Sequence, residues 1–279
     1  MNRTPRLAFA GASLAPSIAM TVLALALPSL ARAGAHRVMS RDYPWSADHL
    51  ALDVPADVSY RPGPAWHLSI RGPGHTLDQL IVKDGRIGAK AHGCFSLVPF
   101  CIGFGTEIEH TVHVQITGPA LRRVTLNSSG RIDLLGLRQD RLTVQINGSG
   151  SVRSSGTVDD SRFDIEGSGS IALDGLHQNR LIVRIDGSGT VAGSGSTQDL
   201  RADISGSGNI RLGQMSDANA RVSVSGSGDV DIAPTNSVSV SVSGAGNVRL
   251  HSHPQSLTLH VSGSGGVTEM PAGQPAAAR

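Results

Sequence analysis

The chain has 279 residues, with 24 basic and 22 acidic side chains, 34 glycines and only 3% aromatic residues. The first 33 residues hold Arg3, Arg6 and Arg32 and no acid, so without them 21 basic residues face 22 acidic ones. That near-neutral balance lacks the cationic footprint that dominates nucleic-acid affinity, and DNA or RNA is excluded as an expected partner.

In chain order, Arg3 and Arg6 precede an apolar stretch centred on residues 20–30 that ends in Ala31-Arg32-Ala33. This is the pattern of a secretory signal peptide over residues 1–33, with an A-x-A cleavage site. Pro16 and Pro28 interrupt the stretch, and its unbroken part is shorter than the roughly 20 residues of a membrane span. No cysteine follows the cleavage point to carry a lipid, and nothing later is apolar enough to span a membrane. The expected location is therefore exported, either periplasmic or at the cell surface and beyond. Residues 34–45 read as a linker.

Residues 46–128 read as a β-rich N-terminal cap or as irregular coils. "HLALDVPADVSYRPG", "AWHLSIRG", "LIVKDGRIGAK" and "HTVHVQITG" alternate apolar and polar residues and are punctuated by Pro-Gly and Asp-Gly turns. Tyr60 and Trp66 could form an aromatic platform for a sugar, but core of the cap is the preferred reading. Cys94 and Cys101, in "CFSLVPFC", would enter an oxidising compartment, and a disulfide closing this short loop is expected. A metal site with His92, His110 or His113 is the lesser alternative, because C-x6-C is not the spacing of a zinc knuckle. No metal or other cofactor is expected.

Residues 129–268 are a repeat. Units ending in G-S-G span 131–150, 151–169, 170–189, 190–208, 209–228, 229–246 (with Gly-Ala-Gly) and 247–265. A period near twenty is a solenoid signature. Before each corner the apolar residues fall at every second position, as in Leu142, Val144, Ile146 and Leu181, Val183, Ile185. Just after each corner a second short strand begins, at Val152, Ile171, Val191, Ile210, Val230, Val248 and Val267. Period two means strands with one buried face, and two such faces per unit describe one coil of a parallel β-helix. At about 4.8 Å per coil, seven coils make a rod roughly 34 Å long with Val, Ile and Leu ladders inside.

Counting parity through the corner places both glycines of each unit inward and the middle residue outward. The corner glycines are Gly148 and Gly150, Gly167 and Gly169, Gly187 and Gly189, Gly206 and Gly208, Gly226 and Gly228, Gly244 and Gly246, and Gly263 and Gly265. Glycine is needed where a Cβ would obstruct the bend or where φ is positive. Ala245 in one unit implies that the serine hydroxyl is dispensable. Residues 269–279, rich in Pro and Ala, read as a disordered tail or a shield for the last edge.

"QITGPALRRVTLNSSGRIDL", followed by "VSGSGDVDI", "ISGSGNIRL" and "VSGAGNVRL", resembles the head GIN domain family, a bacterial envelope family carrying an auto-transporter adhesin label. The resemblance covers about residues 46–268; the insertion "AHGCFSLVPFCIGFG" departs from the family pattern. It implies an all-β, right-handed parallel β-helix that is exported, and it brings no catalytic residues. No outer-membrane barrel is evident, so the resemblance does not extend to an auto-transporter mechanism.

The function classes then narrow. Parallel β-helices include polysaccharide-active enzymes, and Glu166 and Asp186, on adjacent coils, are the one acid pair placed for such chemistry or for cation binding; a solvated surface pair is the preferred reading. His251, His253 and His260 read as surface histidines. There is no G-x-S-x-G, P-loop or H-E-x-x-H. The expected function is a non-enzymatic interaction module with repeated polar ladders, the partner being an envelope protein or glycan. Asp164, Arg184 and Asp203 in one outward column and Asn209, Asp229 and Asn247 in another are the candidate contacts. A lyase or hydrolase and a passive protein that self-associates through open coil ends are the alternatives.

Overall fold

The computed structural model describes residues 38–90, 95–97, 100–102 and 112–270. The leader, Cys94 with its expected disulfide, and the tail from residue 271 lie outside the described residues. In chain order the cap contains β1 (Val38–Tyr43), β2 (His49–Leu52), β3 (Asp57–Pro62), β4 (His67–Pro73), a short helix α1 (Gly74–Gln79), β5 (Leu80–Lys83) and β6 (Arg86–Ala89). A hairpin of β7 (Phe95–Leu97) and β8 (Phe100–Ile102) follows, then β9 (His113–Gly118) and β10 (Arg123–Leu126). The repeat forms β11 (Arg131–Gly148), β12 (Ser151–Gly167), β13 (Ser170–Gly187), β14 (Thr190–Gly206), β15 (Asn209–Gly226) and β16 (Val230–Gly244). The next coil is split into β17 (Asn247–Leu250) and β18 (Ser256–Gly263), and β19 (Gly266–Glu269) stacks on β17 as the start of one more.

The fold is a β-solenoid of about eight turns. Successive long strands pair in parallel and in register, so that Val144, Phe163, Val183, Ala202, Val222 and Val240 stack in one inward column. The first regular coil comes from the cap: β2 pairs with β10 and β3 with the start of β11. Between β3 and β10 the chain makes an excursion that returns beneath this coil, where β6 pairs with β2 and β9 with β3. The excursion thereby covers the N-terminal end of the rod. Its Asp84-Gly85 turn has positive φ at both residues (47° and 74°), as a tight hairpin between β5 and β6 requires.

The two glycines of each corner serve different ends. The first has a φ that excludes ordinary side chains: +125° at Gly167, +135° at Gly187 and +128° at Gly226. The second has no such φ, but a Cβ on Gly189 would lie 2.6 Å from Cγ2 of Ile165 and 2.9 Å from the Gly169 carbonyl oxygen, in the coil below. Between them the middle residue donates its backbone N–H one coil back, as Ser188 does to Gly167 (2.9 Å) and Ala245 to Gly226 (2.9 Å). Only the backbone of that residue is used, which accounts for alanine at position 245.

Three differences from the sequence reading stand out. Residues 34–45, read as a linker, contain β1, which pairs antiparallel with β4. Pro73-Gly74 opens a short helix, α1, in a segment read as strands and turns. Each coil also has a third segment, set off by register shifts such as that between Leu134 and Leu137. Its inward column holds Val158, Gln178, Thr197, Asp217 and Pro234. Polar residues there hide the alternation on which a strand assignment rests. Thr197 satisfies its hydroxyl on the carbonyls of Asn179 and Asp199 (3.4 and 3.3 Å). Asp217 is fully buried, and the one donor near its carboxyl, the Ala233 amide, does not reach either oxygen in good hydrogen-bond geometry. Burial pushes its pKa up to about 7, against a weaker downward pull from the Ala233 amide.

Tyr60 and Trp45 belong to the core of the cap, and Trp66 is partly buried against it. Tyr60 is fully buried and donates its hydroxyl to the Gly118 carbonyl at 3.0 Å, and Trp66 packs over Gly118.

Candidate binding surface

Alternation that buries one side of each strand must present the other to solvent, and it places the first three candidates together. Gln145, Asp164, Arg184, Asp203, Ser223, Ser241 and His260 stand in register as one outward column. Two positions earlier on the same strands, Arg162 donates to Asp164 (2.7 Å) and Arg201 to Asp203 (2.8 Å). These pairs press the carboxylates against the sheet, leaving the Asp164 and Asp203 side chains only 15% and 19% exposed. The hydrogen bond to Asp164 raises the Arg162 pKa, with the nearby Asp203 charge adding to it. Arg184 stands between the two acids, exposed and, among the described residues, without an ion-pair partner. Toward the C-terminus the column itself becomes neutral at Ser223 and Ser241, while Arg221, in register with Arg201, keeps a positive charge beside Ser223. The hollow it carries between Arg184, Arg201, Asp203 and Ser223 is shallow, at about 240 Å³.

Asn209, Asp229 and Asn247 sit elsewhere, just after the corners, and bind one another. The Asp229 amide donates to Oδ1 of Asn209 (3.3 Å), and the Asn247 amide and side chain donate to Oδ1 of Asp229 (3.1 and 3.2 Å). Burial alone would raise the Asp229 pKa, but the bonds from Asn247 and Arg249 outweigh it and hold the carboxyl below its ordinary range. The six candidates therefore form two groups on different columns.

The acids Glu166 and Asp186 are neighbours in register, and Glu166 accepts from the Gln145 amide at 3.4 Å. They end a ladder that begins in the cap. Arg86 pairs with Asp53, Asn127 donates to Asp53 (2.7 Å), and Asn147 donates to Asn127 (2.8 Å). At Asp53 the carboxyl is again raised by burial and pulled lower overall by Arg86 and Asn127. Among the described residues no three His, Cys, Asp or Glu side chains cluster as metal ligands, and no helix is long and apolar enough to cross a membrane.

The sequence reading missed a second surface. One column runs Asp133, Arg153, Ala172, Ala192, Arg211, Asp231, Arg249, charged at every coil except the two alanines. A cavity of about 490 Å³ opens there, bordered by Ala172, Ala192, Gly193, Arg211, Asp231 and His251. The signal was present as a break in the charge pattern, but its column becomes visible only once the coils are in register.

Residues 48–254 match the family described as "Putative auto-transporter adhesin, head GIN domain". The fold is similar to that of a putative lipid binding protein from Parabacteroides distasonis ATCC 8503, with a TM-score of 0.73 and 18% identity over 84% of this chain and 96% of that one. It is equally similar to a putative adhesin from the same organism, with a TM-score of 0.73 and 18% identity over 85% and 98% of the two chains. A putative adhesin from Parabacteroides merdae ATCC 43184 has a TM-score of 0.70 and 19% identity over 84% and 96%. No curated protein matches.

Proposed function

The chain belongs to the head GIN domain family of putative auto-transporter adhesins, and from that premise we propose that it is an exported, non-enzymatic interaction module of the bacterial envelope. The observation that carries this reading is the face of Asp164, Arg184 and Asp203, which is polar, in register and nearly flat. A flat face repeating at about 4.8 Å suits an extended partner touched weakly at every coil, so that affinity comes from many linked contacts. Such a partner is an envelope glycan or protein.

The test is binding of residues 34–279 to an array of envelope and extracellular glycans and proteins, with product release measured in the same wells. Saturable binding without turnover is expected, and Arg184→Glu combined with Asp203→Asn should weaken it about tenfold, the order of a charge-assisted contact. Turnover would overturn the reading and direct attention to Glu166 and Asp186.

A second reading, self-association, is favoured by the last coil. Leu257, Leu259 and Val261 are 37%, 46% and 42% exposed, and among the described residues β18 pairs on one side only, with β16. An uncharged strand edge without proline is a template for another strand. Because the excursion covers the other end, such contacts would join two C-terminal ends and close at a dimer. Sedimentation velocity over a concentration series should then show a monomer–dimer equilibrium that Leu259→Lys shifts to monomer; a monomer at all concentrations would remove this reading.

A further inference from the structure

The column of alternating charges is interrupted where Ala172 and Ala192 stack between Arg153 and Arg211. Beside them Gly193 takes the register position that Leu173 fills one coil earlier, and a Cβ there would meet Leu173 at 2.5 Å. Gly213 lies under the His251 imidazole, whose Cδ2 would be 2.6 Å from an added Cβ. Four missing or minimal side chains thus leave the cavity of about 490 Å³ open to solvent, with an apolar floor and a charged rim.

The charges on that rim are unequally satisfied. Asp174 is held by Arg153 at 2.9 Å. Asp231 stands between two arginines in its column but is taken by Arg249 at 3.0 Å, with His251 a further 3.7 Å away. Arg249 is also tied to Asp229, at 3.1 Å. Arg211 is left exposed at the cavity wall, with no ion-pair or hydrogen-bond partner among the described residues.

The geometry points to this cavity as a binding site for an acidic sugar unit. The C–H face of a pyranose ring covers the floor of Ala172 and Ala192, and its carboxylate meets the Arg211 guanidinium, whose planar fork matches a carboxylate through two parallel hydrogen bonds. The ring hydroxyls reach Ser194, Gln214 and the two fixed carboxylates. An apolar floor with a few converging polar groups is the usual form of a small-ligand site. A bare anion would leave the floor unused, and a hydrocarbon chain would leave Arg211 unused. The site lies on a different column from the Asp164–Asp203 face and does not depend on what that face binds.

The test is calorimetric titration of residues 34–279 with a galacturonic acid trisaccharide, its neutral galactose counterpart and inorganic phosphate. Saturable binding of the acidic sugar is expected, with the neutral sugar and phosphate at least about tenfold weaker. Arg211→Gln should lose about tenfold. Ala192→Leu, which fills the floor but leaves Arg211 in place, should lose as much, and both variants should keep the parent's melting temperature. Arg138→Glu, at an exposed arginine of β11 outside both surfaces, should bind the acidic sugar unchanged. No saturable binding, equal binding of the neutral sugar or of phosphate, full binding by Ala192→Leu, or loss in Arg138→Glu would each overturn the assignment.

Discussion

Replacing Gly187 with valine will destabilise the solenoid by about 4 kcal/mol, combining the cost of a side chain at a strained φ with that of forcing atoms into a packed region. Gly187 has φ +135°, and a Cβ there would lie 2.5 Å from the Gly167 carbonyl oxygen and 3.2 Å from its carbonyl carbon. Those atoms are backbone, and the same oxygen accepts the Ser188 amide at 2.9 Å. They cannot move aside without breaking the corner ladder. Relief by a change of φ is also blocked, because β13 is paired along its length with both β12 and β14. Urea unfolding will show the loss as a lower midpoint. Gly175 supplies the control: its φ is +59° and no atom lies within 4 Å of an added Cβ. Asparagine tolerates that φ, so Gly175→Asn should cost less than about 1 kcal/mol. Equal effects at the two positions would show that glycine's backbone freedom, not contact between coils, governs the corner.

The second large effect is a dependence on pH centred on one residue. Asp217 has a folded-state pKa of about 7, raised by burial from an ordinary value of 3.8. Between those values the folded chain keeps the proton and the unfolded chain loses it, so stability falls as pH rises. The contribution is fully present below about pH 4 and is lost by the time pH passes about 7. At 1.36 kcal/mol per pKa unit the span is at most about 4 kcal/mol. No charged neighbour contributes to the shift, which comes from burial beside Thr197 and Pro234 in its column. Asp217→Asn keeps the shape without the titration. Its urea midpoint should therefore stay higher than the parent's at pH 8 and draw level toward pH 4. Parallel midpoint curves for the two proteins would remove the account.

Much of this architecture was legible before any coordinates, and the reasons are local. Alternation through Leu181, Val183 and Ile185 fixes a strand and its buried face, and the recurrence of Gly-Ser-Gly fixes the coil length. The third segment was not legible, because its inward positions Gln178, Thr197 and Asp217 are polar, and hydropathy cannot report burial that runs against it. The Ala172–Ala192 hollow escaped for a different reason. It depends on which residues stack across coils, and the pairing skips a residue within units, as between Ser154 and Gly156. Likewise β1 pairs with a strand some thirty residues away, a relation that no local pattern in "VMSRDY" announces.

The excursion that covers the rod's N-terminal end also sets a timetable. Within the repeat, a strand waits about twenty residues for its neighbour, as Val144 does for Phe163. β2 waits far longer, since His49 pairs with Arg123. Closing that longer loop costs only about 1 kcal/mol more in chain entropy, so the delay is one of order more than of energy. During synthesis from the N-terminus, β2 and β3 emerge first yet cannot join the stack until β10 and β11 exist. The earliest strands of the stack thus wait until about half of the chain has been made, while each later coil finds its neighbour already in place.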